Sequence, residues 1–178
     1  MKISKRTFGI LFIFVIVFIL NTFSFATYRT AVLSEQNIKS IAEKLVLDDY
    51  ADLSAEEQET LDLINKYRIK NGLTELKALS SLQDVAYLKA IDLVQNNYFS
   101  HTSVNLGTPF EMLEDYGIDY MIAGENLAGN TTPERAVAAW INSPSHKANI
   151  LEKNFSYTGI VVIDSPVYGK IYVQLFIG

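Results

Sequence analysis

Histidine is the residue type that most directly suggests chemistry in this chain, which has only two, His101 and His146. Each lies in a short polar segment, His101 just beyond the end of a predicted helix and His146 at the third position of another, which begins at Pro144. There the positive end of the helix dipole disfavours the protonated ring, so a nitrogen of His146 stays free to bind a metal or accept a proton. The alternative interpretation is that each histidine caps or packs against its helix.

Glu125 is the carboxylate best placed to act with these histidines. It stands beside Gly124, directly after a predicted apolar strand over 120–123. A carboxylate at such a point is a candidate general base or ligand, or it simply accepts hydrogen bonds from loop amides. The spacings of 24 and 21 residues from His101 to Glu125 to His146 match no compact metal motif such as H-E-x-x-H.

Nucleophilic chemistry has weaker support. Four serines lie near a histidine in the sequence, namely Ser100, Ser103, Ser143 and Ser145. The chain has no G-x-S-x-G elbow, and neighbours within one helical turn rarely have the geometry of a nucleophile and its base. The chain also has no cysteine, which excludes disulfides, thiolate metal ligands and cysteine nucleophiles.

Helices are predicted over most of the chain that must position these residues. Ser54 and Glu57 form a capping-box pattern that predicts a helix starting there and ending at Asn71-Gly72. A second helix is predicted over 79–96. Shorter helices are predicted from Pro109 to Gly117, after Thr132-Pro133, and after Ser143-Pro144, with Ser143 as the cap of the last.

The C-terminal part changes to a strand-like period. Residues 157–163 and 171–177 predict an antiparallel hairpin around a turn at 165–169. Helices followed by paired strands, without repeated strand-helix alternation, favour an α+β or three-layer domain over a parallel α/β sheet.

The N-terminus is typical of an export signal. Residues 1–26 contain a basic start, an apolar run from Phe8 to Leu20, and a small-x-small cleavage pattern from Ser24 to Ala26. The alternative is an uncleaved anchor, because residues 8–26 carry no charge. Either interpretation places the folded part outside the cell, at the surface or released from it. Residues 27–53 form a predicted lead-in helix or linker, and residues 54–178 the domain.

Charge limits the partners. Removing residues 1–26 takes away three positive charges and no negative ones, so the net charge changes from −5 to −8. An acidic protein without a basic run repels nucleic acid, so we expect no nucleic-acid partner. Membrane contact is expected only through the N-terminal segment.

Several motifs together resemble the bacterial CAP superfamily of SCP-like extracellular domains. In chain order they are Asn65-x-x-Arg68 with Gly72-Leu73, Phe99-Ser100-His101, Gly124-Glu125-Asn126-Leu127-Ala128, and Trp140 to Leu151, which contains Ser143-Pro144-Ser145-His146. The resemblance covers roughly residues 61–178. It implies a three-layer α-β-α sandwich in which helices flank a small antiparallel sheet.

The same resemblance implies a cleft in which His101 and His146 are metal ligands and Glu125 is the first acid. The residues expected to line this cleft are Ser100, Glu125, Asn126, Ser143 and Ser145. Animal and fungal members usually have a second glutamate three residues after the tryptophan, where this chain has Ser143. The expected cofactor is therefore a weakly held divalent metal such as zinc, or none.

Three functions are compatible with this cleft. The first is a non-enzymatic module that binds a lipid, glycan, peptide or wall component, with or without a metal. The second is a hydrolase in which His101 and His146 hold a metal and Glu125 acts as base on its bound water. The third is a structural envelope protein that docks a partner through a helix over 34–49.

Overall fold

The computed structural model describes residues 50–178. The predicted signal segment and residues 27–49 of the predicted lead-in lie outside the described residues. The helices are α1 Ala55–Lys70, α2 Ser80–Gln95, α3 Pro109–Asp115, α4 Pro133–Asn142 and α5 Pro144–Ile150. The strands are β1 Lys77–Ala78, β2 Ala123–Asn130, β3 Tyr157–Ser165 and β4 Gly169–Ile177. None of these helices has the length and apolar character needed to cross a bilayer.

The four strands form one sheet in the order β1-β3-β4-β2. β4 pairs antiparallel with β3 on one side and with β2 on the other, so the predicted hairpin lies at the centre. β1 pairs parallel with β3, which the predicted antiparallel sheet did not include. Two residues are too few to show a strand period in the sequence. β2 is an edge strand, so one of its sides is open to side chains from the helices.

Alternate residues of β4 face two separate hydrophobic clusters. Ile171, Val173 and Leu175 pack with α2 and α3, whereas Tyr172 and Phe176 pack with α1, α4 and α5. This alternation is the period of a strand covered on both faces. The α+β class and the three-layer α-β-α sandwich are therefore confirmed.

Capping explains where the first and third helices begin. The Ser54 backbone N–H donates to Glu57 Oε2 at 2.9 Å, and the Glu57 N–H donates to Ser54 Oγ at 3.4 Å, as the capping box predicts. Thr108 and Glu111 form a second capping box before α3, which we did not predict. α1 ends as predicted, because Gly72 has the left-handed φ of +77°.

One prediction near the site was wrong, and another is confirmed only in its position. The strand begins at Ala123 rather than ending there, so Glu125 and Asn126 lie within β2. The apolar residues before Ala123 resemble a strand, whereas the β2 residues themselves have low strand propensity. Pairing of all eight β2 residues with β4 outweighs that low propensity. Ser143 stands at the N-cap of α5, yet its side chain accepts no capping hydrogen bond.

A buried arginine ties α1 to the end of α5. Arg68 is 0% exposed, and its guanidinium donates to four backbone carbonyls. The acceptors are Thr74 O at 2.9 Å, Ile150 O at 2.7 Å, Glu152 O at 3.0 Å and Phe155 O at 3.1 Å. This fork fixes the position of the chain leaving α5, and with it the short helix that carries His146.

Candidate functional site

The site lies along the outer edge of β2. There the carbonyl of Glu125 accepts a hydrogen bond from Asn149 Nδ2 at 3.0 Å, and that of Leu127 accepts one from Trp140 Nε1 at 2.9 Å. These two side chains come from α5 and α4, so they satisfy strand carbonyls that have no neighbouring strand. They hold α5, and therefore His146, against this edge.

His101 reaches the same edge from the loop after α2. Its Nδ1 lies 2.6 Å from Glu125 Oε1. The Glu125 side chain is only 2% exposed, whereas that of His101 is 55% exposed. Two residues 24 positions apart therefore form one pair, in which His101 faces solvent and Glu125 lies beneath it.

The pair holds a proton. Burial raises the pKa of Glu125, and the hydrogen bond to Glu125 raises the pKa of His101. The second carboxyl oxygen, Glu125 Oε2, is buried and has no hydrogen-bond partner among the described residues. Because Nδ1 is engaged by Glu125, His101 has only Nε2 left for a ligand.

His146 completes the pair of imidazoles. It occupies the third position of α5 as predicted, and its ring centre lies 6.4 Å from that of His101 at an interplanar angle of 48°. Burial lowers the pKa of His146, and the nearby charge of His101 lowers it further. The lowered pKa favours the neutral form of His146, which offers one N–H donor and one nitrogen acceptor.

Asn126 supports the cleft from beneath instead of lining it. It is 0% exposed, its Nδ2 donates to the His146 carbonyl at 3.2 Å, and its Oδ1 accepts from Asn149 Nδ2 at 2.9 Å. We predicted Asn126 as a cleft-lining residue, and the structure places it under α5. Its physical role is to fix the backbone that carries His146.

The serines are placed differently from one another. Ser100 and Ser145 are exposed and Ser143 is half-buried. Ser100 Oγ accepts from the Thr102 N–H at 3.2 Å, and Ser143 Oγ lies 3.3 Å from Ser145 Oγ. Within residues 50–178, no hydrogen bond joins a serine hydroxyl to either imidazole, so no nucleophile-and-base pair is formed.

A buried polar network that the sequence did not predict lies under His101. Lys89 is 0% exposed, and its Nζ donates to the His101 carbonyl at 3.0 Å and to Tyr98 Oη at 3.2 Å. Tyr98 in turn donates to Asp92, and burial with this contact raises the pKa of Tyr98 to about 12. Lys89 stands on the buried stripe of α2, and a lysine at a core position was the signal that could have revealed it.

The donor set does not fit a zinc ion with three protein ligands. Across the described part of the chain, no group of three or more histidine, aspartate or glutamate side chains is arranged to hold a metal. Two imidazoles on one tetrahedral zinc have ring centres about 5 Å apart, given Zn–N bonds of about 2.1 Å, and these are 6.4 Å apart. Glu125 is already bound to His101. Zinc binding stays a prediction, and no step of the proposed function depends on it.

Comparisons with known proteins agree with this architecture. A model of the cysteine-rich secretory protein family, CAP, matches residues 61–176. The Bacillus subtilis protein YkwD is 42% identical over 127 residues, which is 71% of this chain and 48% of YkwD. The chain thus spans about half the length of this relative.

Two solved structures are similar in fold. An extracellular Bacillus anthracis protein containing an SCP domain has a TM-score of 0.64 at 32% identity, covering 71% of this chain and 44% of that one. An outer surface protein of Borrelia burgdorferi has a TM-score of 0.64 at 28% identity, covering 71% of this chain and 95% of that one.

Proposed function

Because the chain belongs to the CAP family, with the family's domain over most of its length, we propose that it is an exported module that binds a cell-envelope component without hydrolysing it. The observation that carries this proposal is the state of Glu125. Its side chain is 2% exposed, with one oxygen on His101 Nδ1. A general base must reach the proton that it removes, and a buried carboxylate held by its own histidine does not.

The exposed groups of the cleft are suited to recognition. His101 presents a ring whose raised pKa favours the charged form, His146 one whose lowered pKa favours the neutral form, and Ser145 an exposed hydroxyl. A small set of placed donors and acceptors fixes the orientation of a polar ligand. Acyl transfer also requires a nucleophile hydrogen-bonded to its base, and among the described residues neither imidazole has a serine hydroxyl as a hydrogen-bond partner.

The predicted export signal and the similar proteins support a ligand that lies outside the cell or at its surface. The two similar structures come from an extracellular protein and an outer surface protein. A chain exported in the same way meets lipids, glycans, peptides and wall polymers. Its net charge of −5 over the full sequence disfavours strongly anionic polymers.

Sedimentation with purified Bacillus subtilis sacculi, beside anionic and neutral lipid vesicles, tests the proposal. The protein used is residues 27–178, the mature chain without its predicted signal segment. We expect it to bind one of these saturably, with or without EDTA. His101→Ala and His146→Ala should each weaken binding about tenfold, the effect of losing one well-placed polar contact. Lys153→Ala, a change at an exposed residue, is the matched control. Equal binding by both histidine variants and the control would overturn the proposal.

Neither rival function is favoured by a specific contact. The metal-dependent hydrolase requires Glu125 to contact a metal-bound water, and Glu125 contacts His101 instead. The structural role depends on the predicted helix over 34–49, which lies outside the described residues.

A further inference from the structure

We propose that a pair of exposed aromatic rings, Phe99 and Tyr168, binds a sugar ring, which makes the ligand of the neighbouring cleft a glycan. The rings touch each other, with centres 5.3 Å apart and an interplanar angle of 51°. Each residue is nevertheless 42% exposed. Aromatic side chains that serve only packing bury most of their surface, so a half-open pair is available for contact with a ligand.

The Tyr168 half of the platform is held in place by its own turn and by β2. The Ser165 hydroxyl accepts hydrogen bonds from the backbone N–H groups of Val167 and Tyr168, both at 3.3 Å, which fixes the β3–β4 turn. Gly129 lies under the Tyr168 ring, where a Cβ would stand 2.7 Å from Tyr168 Cγ. A ring seated on a backbone in this way loses little conformational entropy when a ligand binds.

The platform is continuous with the cleft. Phe99 precedes His101 by two residues in the same loop. On the other side, Gly129 under Tyr168 lies four residues along β2 from Glu125, a distance of about 13 Å at the rise of an extended strand. A short sugar oligomer has the length to contact the aromatic pair and the two histidines together.

The combination selects a glycan among envelope components. A pyranose ring has a face of C–H groups that stacks on an aromatic ring and an edge of hydroxyls that hydrogen-bonds to imidazole and serine groups. A lipid chain needs an enclosing apolar groove, whereas these two rings, tilted at 51° to each other, form a half-open surface. The inference rests on the proposed binding function and names its ligand class.

Calorimetric titration of the mature chain with the tetramer of N-acetylglucosamine tests this assignment. We expect saturable binding that Phe99→Ala and Tyr168→Ala each weaken about tenfold, as loss of one stacking surface should. Tyr168→Phe keeps the ring and should bind like the wild type. Tyr116→Ala removes an aromatic residue of similar exposure, 52%, outside the platform and should also have no effect.

The outcomes separate this inference from the function on which it rests. The glycan assignment is overturned if the wild type does not bind the tetramer. It is also overturned if Phe99→Ala and Tyr168→Ala bind the tetramer as tightly as the wild type does. If sacculi or vesicle binding is then still lost in His101→Ala, the binding function stands without it. If no variant of the cleft or platform changes binding to any probe, both fail. Circular dichroism of each variant establishes that it is folded.

Discussion

At the scale of residues, the proton between Glu125 and His101 decides what the site can do. Burial disfavours the charged carboxylate, while the hydrogen bond from His101 and the charge of Lys89 favour it. The balance leaves the pKa of Glu125 raised and that of His101 raised as well. A carboxyl group used in this way orients and charges its histidine, which is the relation that buried carboxylates often have to exposed imidazoles.

Proton NMR titration can measure this directly, because the chain has only two histidines. We expect His101 to titrate above the ordinary histidine pKa of about 6.5 and His146 to titrate below it. Glu125→Gln should lower the pKa of His101, because an amide carries no charge, whereas Glu114→Gln at an exposed position should not. A His101 pKa that does not change in Glu125→Gln would contradict the pairing.

The same shifts fix the sign of the pH dependence of stability. The folded state raises the pKa of His101 above its unfolded value, so the stabilisation from this one shift is fully present below about pH 6.5. It is lost as the pH rises through the raised value. Glu125, whose pKa is also raised, contributes with the same sign, but its stabilisation is fully present only below its ordinary pKa of 4.5. His146 has a lowered pKa and contributes in the opposite direction. The difference in stability between the wild type and Glu125→Gln measures the contribution of the pair.

At the scale of elements, the site depends on how α5 is held against β2. Asn149 and Asn126 fasten this helix to the edge strand, and Arg68 of α1 fastens the chain that leaves it. A helix of seven residues has little stability of its own, so these contacts determine its position. The geometry of His146 is therefore set by buried and half-buried side chains behind the cleft.

Arg68→Met tests this dependence. The change keeps an apolar stem but leaves four backbone carbonyls without their donor, so we expect the free energy of unfolding in urea to fall by about 3 kcal/mol. Lys70→Met, at an exposed position of the same helix, should change it by less than about 0.5 kcal/mol. A loss below about 1 kcal/mol in Arg68→Met would mean that this fork does not hold α5.

Local sequence signals predicted most elements correctly. The Ser54 capping box, the Thr132-Pro133 helix start and the final hairpin all depend on contacts between near neighbours. β1 and the true span of β2 depend on pairing with β3 and β4, which are distant in sequence. The same reason explains why Lys89 and the Phe99–Tyr168 pair were not predicted, since their partners are brought close only by the fold.

At the scale of the whole molecule, both edges of the sheet are covered. Residues 50–53 run beside β1, where the Ala51 N–H donates to the Ala78 carbonyl at 3.2 Å. Side chains of α4 and α5 cover β2. Covered edges protect a sheet from pairing with other chains. The cleft beside β2 thus presents side chains, rather than free backbone, to an incoming ligand.

The most direct test of the proposed function measures binding and turnover on the same sample. The mature chain and Glu125→Gln are incubated separately with Bacillus subtilis sacculi, and both bound protein and soluble fragments are quantified over time. We expect the wild type to bind saturably and to release no more fragments than Glu125→Gln or sacculi alone. Steady release of fragments by the wild type, abolished in Glu125→Gln, would contradict a binding module and make Glu125 a catalytic residue.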